Sequence, residues 1–333
     1  MTGTTLVTGA NGFIGLHVSC KLVELGHRVL AVSSKHQRSL PSSHEHPVYQ
    51  MRQKRLQEAV KAYPHLLQLK RADICDMAES RAGARGNGEP LDYIQTNILG
   101  HFNVLQLAKE NGVRHFIFTS SSAVYGGHAK ESKADLHVNN IAFDDGASKS
   151  PCKIPLSLYA ATKCANETMT YSYCHSFNMQ ATGVRLANVY GPFARPDMAI
   201  YSFVDKITND QPLTVFNKGQ SKRSYIYIDD VVNTIVKLIL VEIKKRGSFE
   251  VYNLGSKNIV SVQELISILE LKMKKKARIE YLEGSKSEMP TAEMDCRKIL
   301  EEYGVEAKVP LDEGIEKFVQ WYEKSILENK HQG

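Results

Sequence analysis

Little in this sequence points to a membrane or to the outside of a cell. No apolar run approaches the ~20 residues that a membrane-crossing helix needs. The opening MTGTTLVTGANGF has no charged stretch followed by an apolar one, so no signal peptide is expected. Cysteine is sparse and scattered, at Cys20, Cys75, Cys152, Cys164, Cys174 and Cys296, with no C-x-x-C and no paired spacing with histidine. That excludes a structural zinc site and fits a reduced, cytoplasmic protein without disulfides. Charge of one sign is also lacking: 42 Lys and Arg stand against 36 Asp and Glu, for a net charge of +6. This is far from the dense basic stripe of a nucleic-acid binder, and the most basic run, LKMKKKAR (271–278), reads as a solvated helix end. There is no internal repeat and no low-complexity tract.

What is present is an ordinary globular composition, 42% hydrophobic and 23% charged over 333 residues, enough for about two domains. TTLVTG (4–9) is a short β-branched run ending in glycine, read as a buried strand. Ile14, Val18, Leu22 and Leu25 follow at helical spacing with Gly26 as the stop, and HRVLAV (27–32) is the next strand. Strand, glycine turn, helix and strand make a βαβ unit, and hence a parallel sheet. Helices are predicted over 52–63, 92–112, 159–177, 229–245, 261–273 and 311–327, and strands over 65–74, 114–121 and 181–190. The short strands PLTVF and SYIYI come later. One stretch breaks the alternation: CDMAESRAGARGNGEPL (75–91) offers only a polar loop where another helix and strand are due.

TGANGFIG sets Gly9, Gly12 and Gly15 between that first strand and helix. Glycine permits a tight turn and close backbone approach to a pyrophosphate, and the helix N-terminus offers free N–H groups. In this context the loop is a dinucleotide-binding site, with Asn11, Phe13 and Ile14 among its cofactor-facing residues. The tip of the second strand reads Ser33-Ser34-Lys35, without the acid that NAD binders place on the ribose. Ser33 is read as the ribose contact and NAD as the cofactor. Lys35 and Arg38 leave NADP, through its 2′-phosphate, as the lesser alternative.

SLYAATK (157–163) places Tyr159 and Lys163 one helical turn apart on one face. A free phenol, with a pKa near 10, is a poor base at neutral pH. An adjacent ammonium and an oxidised nicotinamide favour the phenolate, and make tyrosine a usable general base. The hydroxyl-rich TSSSAVYG (119–126) follows a strand at the end where such sheets bind ligands. Ser121 is the candidate partner of the reacting sugar oxygen; turn chemistry is the other reading, and suits Ser122 about as well.

In this order, the three glycines, the serine cluster and the Tyr159/Lys163 pair resemble the extended short-chain dehydrogenase/reductase superfamily. GPFARPDM, RSYIYIDDV, VYNLGS and EGIEKFVQWY narrow the resemblance to its UDP-glucuronate 4-epimerase branch, RPDM being the most specific of them. The resemblance implies an α/β fold: a Rossmann-type doubly wound parallel sheet over 1–191, crossed again by 229–254, with a smaller mixed α/β substrate lobe from 192–228 and 255–330. It implies bound NAD that takes a hydride from C4 of a UDP-sugar, with UDP-glucuronate becoming UDP-galacturonate through a 4-keto intermediate. Tyr159 would take the O4 proton, assisted by Ser121, and Lys163 would hold the ribose. Asp73 and Ile74 would flank the adenine, and Asn97 would lie near the active site. Asn188 and Arg223 would hold the diphosphate, Phe216 would lie against the uracil, and Arg195 would line the substrate side with Ser122. Related enzymes pair through four helices, so a homodimer through 92–112 and 160–177 is implied.

The chain also departs from that branch. Asn188 stands where a threonine is expected near the uronate carboxylate, and Arg223-Ser224-Tyr225 replaces R-D-F/Y. A helix–strand unit is missing between residues 76 and 81. Its strand belongs beside the first one, so its loss is expected to unpair backbone groups in mid-sheet and expose apolar surface. Two other functions stay open. One is a nucleotide-sugar dehydratase or decarboxylase, which argues poorly with Ser121, Ser122 and Ala123 where an eliminating acid should stand. The other is a catalytically impaired NAD-binding protein.

Overall fold

The expected opening βαβ unit forms, with the glycine loop at its first turn. Strand β1 (Thr4–Thr8) leads through that loop into helix α1 (Phe13–Glu24) and on to β2 (Arg28–Ser33). The structure is a computed structural model describing residues 3–34, 46–75, 90–130, 155–241, 247–256, 259–283 and 294–327. Lys35, Arg38 and the proposed deletion site at 76–81 lie outside these residues. The chain folds into two units, one from 1–120, 157–184 and 232–251, the other from 121–156, 185–231 and 252–333.

In the first unit, α2 (Pro47–Ala62) and β3 (Leu67–Arg71) continue the winding. β1, β2 and β3 pair in that order, with Leu6 opposite Leu30 and Ala31 opposite Leu69, both pairings parallel. Next come a single turn, α3 (Pro90–Tyr93), a π-helical turn (Ile94–Gly100) and α4 (His101–Glu110). β4 (Phe116–Ser121), α5 (Leu158–Phe177) and β5 (Ala181–Leu186) follow. Left-handed Asn178 ends α5, as an amide side chain tolerates. The core of this part joins Leu105, Phe116, Cys174, Met179 and Ala181.

The second unit adds β6 (Asn188–Tyr190), α6 (Ala199–Thr208), β7 (Leu213–Phe216) and β8 (Lys222–Tyr227). α7 (Ile228–Leu240) and β9 (Phe249–Leu254) carry the chain across to the first unit and back. β10 (Ile259–Ser261), α8 (Val262–Met273), β11 (Ile279–Leu282), α9 (Arg297–Tyr303) and α10 (Leu311–Tyr322) complete it. Its sheets run β10-β8-β6 and β11-β7. α10 buries Phe318 and Tyr322 against Tyr201 of α6, with ring centroids 5.6 Å apart in each case. Ser261 and Glu264 form a full capping box at the start of α8, satisfying two backbone donors.

The expected elements form, α6, β9, β10, β11 and α9 come in addition to them, and some expected elements differ in detail. The strand expected over 181–190 is two strands, because β5 joins β4 and β9 while β6 pairs with β8. The helix expected over 92–112 contains the π turn, which a 3.6-residue periodicity does not foretell. The Rossmann sheet comes in two parts, β1-β2-β3 and β4-β5-β9. Among the described residues β1 pairs with β2 alone, and its Leu6 is 54% exposed.

Candidate active site

The glycine loop has the geometry that its spacing demands. Gly9 adopts φ +64°, a conformation that strains any side chain. Its carbonyl accepts the Gly12 N–H at 2.7 Å. A Cβ at Gly12 would stand 2.9 Å from that carbonyl oxygen, and one at Gly15 only 2.3 Å, so neither position takes a side chain. α1 starts here with no acid in its first turn, leaving the positive end of its dipole for an anion. The Asn11 Oδ1 is buried and has no hydrogen-bond partner among the described residues. A bare-backbone cradle, a free helix N-terminus and a buried acceptor needing a donor together fit a dinucleotide with its pyrophosphate and hydroxyls. Phe13 is buried in the first turn of α1, Ile14 is half-buried, and Ser33 ends β2 opposite Arg71.

Asp73 and Ile74 follow β3. Asp73 accepts the Cys75 N–H at 2.9 Å, closing an Asx turn. The Ile74 carbonyl accepts the Asn103 amide at 2.8 Å, and its side chain lies where a Cβ on Gly100 would come within 2.8 Å. A side chain at Gly100 would therefore have to displace Ile74.

Ser157 caps α5 by accepting the Ala160 N–H at 3.1 Å, which fixes the first turn where Tyr159 stands. Tyr159 is 37% exposed, with the Tyr93 ring edge-on at 6.1 Å. The Lys163 Nζ sits 5.8 Å from the centre of the Tyr159 ring and donates to the Thr119 carbonyl at 3.0 Å. Burial pulls Lys163 down to about 8, and the Glu167 carboxylate one turn further on acts in the opposite direction. Asn97, in the π turn, donates to the Thr162 hydroxyl at 2.9 Å, and its carbonyl accepts the Asn166 amide at 2.5 Å. The first unit thus brings together Tyr159, Lys163 and Asn97. A π turn inside a helix often marks a functional position, and here it carries the residue tied to α5.

The remaining sequence-predicted residues belong to the second unit. Ser121 accepts the Ala123 N–H at 3.2 Å, and Ser122 opens a tight 3₁₀ turn. Asn188 and Arg223 line one cavity of about 200 Å³ together with Tyr190, Met198, Tyr201 and Tyr225. They share it because β6 and β8 pair with Asn188 opposite Tyr225, and Arg223 precedes Tyr225 by two residues, on the same sheet face. Burial pushes the Tyr225 phenol up to about 12, so it is a neutral donor at physiological pH. Arg195 and Phe216 are not among the residues lining this cavity. Arg195 donates to Asp197, at 2.9 Å through its Nε, and Phe216 ends β7 with 41% of its surface exposed.

Sequence reasoning missed Thr119, Ser120, Glu167 and His101 around Lys163. Glu167 repeats the four-residue step from Tyr159 to Lys163, a signal that could have been followed one turn further. His101, whose Nε2 lies 2.9 Å from the Thr170 hydroxyl, is pulled down to about 4, first by burial and then by Lys163.

The family model for the NAD dependent epimerase/dehydratase family matches residues 5–255. The chain belongs to that family. The UDP-glucuronate 4-epimerase of Thermodesulfobacterium geofontis is 33% identical over 338 residues, covering 97% of this chain and 97% of its own length. UDP-glucuronate 4-epimerase 1 of Arabidopsis thaliana is 31% identical over 349 residues, covering 96% of this chain and 76% of its own. Among solved structures, the UDP-glucuronic acid 4-epimerase from Bacillus cereus in complex with UDP-glucuronic acid and NAD is 25% identical, with a TM-score of 0.79. That match covers 97% of this chain and 99% of the other. The resemblance drawn from TGANGFIG, the serine cluster and SLYAATK therefore holds, as does the Rossmann-type fold. This family member is an NAD-dependent enzyme of the nucleotide-sugar epimerase group. Among the described residues no helix is long and apolar enough to cross a membrane, and no cluster of His, Cys, Asp or Glu could hold a metal ion.

Proposed function

We propose that this chain is a UDP-sugar 4-epimerase whose substrate is a UDP-uronate, interconverting UDP-glucuronate and UDP-galacturonate. The observation that carries the chemistry is the pair on α5: a phenol capped into place by Ser157 and an ammonium one turn away pinned to Thr119. The uronate rests on the names of the relatives that span the chain. NAD, when bound, would supply the hydride acceptor and donor for C4. Tyr159 takes the O4 proton in the first half-reaction and gives it back in the second, so no net redox change occurs. Lys163 keeps positive charge beside the phenol and holds the ribose. Ser121 hydrogen-bonds the sugar oxygen. With Ser122 and Ala123 as its neighbours, no acid stands there to expel water, which favours epimerisation over dehydration.

The division of labour follows the two units. The first holds NAD through Gly9, Asn11, Gly12, Phe13, Ile14, Gly15, Ser33, Asp73, Ile74 and Asn97. The second holds the nucleotide diphosphate at Asn188 and Arg223, with a guanidinium suited to phosphate. Arg195, Ser122 and Phe216 complete the substrate side. The protein works as a homodimer in the cytoplasm, paired through α4 and α5. Leu99, Phe102 and Leu107 in and before α4, with Tyr171 and Phe177 of α5, leave large apolar side chains in water, an expensive arrangement for a monomer. Incubation with UDP-glucuronate and, separately, UDP-glucose, followed by NMR at C4, tests the substrate. UDP-galacturonate should accumulate in the first. Faster turnover of UDP-glucose would reject the uronate assignment.

A further inference from the structure

The environment of Lys163 contains more than the mechanism uses. Its ammonium donates to the Thr119 carbonyl at 3.0 Å. The next residue, Ser120, is 3% exposed and donates its hydroxyl at 2.5 Å to the Glu167 carboxylate, itself 5% exposed. Glu167 lies one turn beyond Lys163 on α5. Two successive β4 residues thus tie down two successive turns of α5, the ammonium on the Thr119 carbonyl and, one turn further from Tyr159, a carboxylate out of water on the Ser120 hydroxyl. Burying a carboxylate is costly unless a cation or strong donors answer it.

We propose that Glu167, anchored by Ser120, is a positioning residue that keeps Lys163 protonated and directed at the reaction centre. This rests on the function proposed for the Tyr159–Lys163 pair. Among the described residues, the ionisable groups facing Lys163 are Tyr159 and Glu167 on its own helix and His101 from α4, and β4 contributes the Thr119 carbonyl and, to Glu167, the Ser120 hydroxyl. His101 is neutral above about pH 4, so it adds no charge in the working range. Burial alone moves Lys163 toward the neutral amine, and the carboxylate opposes that movement. A neutral Lys163 would deprive Tyr159 of the cation that favours its phenolate. Glu167 therefore extends activity to higher pH without touching the substrate.

The test uses Glu167→Gln and Ser120→Ala in the full-length protein as purified. Acetylation of Lys163 by acetic anhydride, followed by mass spectrometry from acid to alkaline pH, reports the fraction of neutral amine and needs no turnover. In E167Q its midpoint should fall by about half a pH unit or more. The alkaline limb of epimerisation should move down with it. S120A keeps the carboxylate and should leave the midpoint at or above that of the unaltered protein. An unmoved or raised midpoint in E167Q, or an equal fall in S120A, overturns the assignment. If E167Q does not fold, Glu167→Ala, which also removes the charge, replaces it, a lowered midpoint being expected and an unlowered one fatal. Failure of the unaltered protein to turn over UDP-glucuronate counts against the proposed function, whereas the acetylation midpoint judges Glu167 separately.

Discussion

β1 lies in the first unit, where most of β5 also lies, and the two meet opposite fates. Every residue of β5 is buried, with Phe118 close enough to crowd a Cβ at Gly183. β1 pairs on one side among the described residues and leaves Leu6 in water. Each lies beside one half of the chemistry: β1 leads into the cofactor loop, while β5 packs with β4, whose Thr119 holds Lys163. The two strands thus give the proposed site different support among the described residues. The tyrosine half draws its rigidity from packing, and the glycine half from backbone geometry that tolerates no side chain.

The largest test of this contrast is on the packed half. Tyr159→Phe should lower epimerisation by about 10²–10⁴-fold, the usual worth of a positioned general base, with NAD still bound after purification. If the variant turns over at the unaltered rate, Tyr159 is not the base. On the open half, Gly15→Ala forces a Cβ against the Gly9 carbonyl and should weaken NAD binding at least about tenfold, measured by cofactor content and titration. Undiminished affinity would mean that the loop adapts, and would remove the argument from geometry.

Stability should divide the strands in the same way. Val184→Ala, at a fully buried position of β5, should cost about 2 kcal/mol from lost transfer and cavity terms. A pH effect should follow from the same packed half. His101 and His115 are both held at about 4 by burial, so between about pH 4 and 6.5 the unfolded chain binds more protons than the folded one. Thermal stability should therefore rise with pH through that window, flatten above it, and lose the slope when both become Gln. The smallest effect belongs to β1. Leu6→Ser should change stability by less than about 0.5 kcal/mol, because the side chain is already in water. A loss comparable to that of Val184→Ala, by denaturant unfolding, would show that the β1 edge is covered in solution.

Local sequence determined much about this protein. Glycine spacing specified the cofactor loop because only backbone fits there. A four-residue step put Tyr159 and Lys163 on one helical face, and β-branched runs became strands. Those are short-range consequences of covalent geometry and periodicity. The tertiary structure decided the rest. Among the described residues it set the Rossmann sheet in two parts, and it split 181–190 because the chain changes partners from β9 to β8. It gathered Asn188 and Arg223 into one cavity through strand pairing. It also placed Ser120 against Glu167, residues far apart in the chain. Pairing and burial depend on which surfaces meet, and no local window of the sequence contains both sides of such a contact.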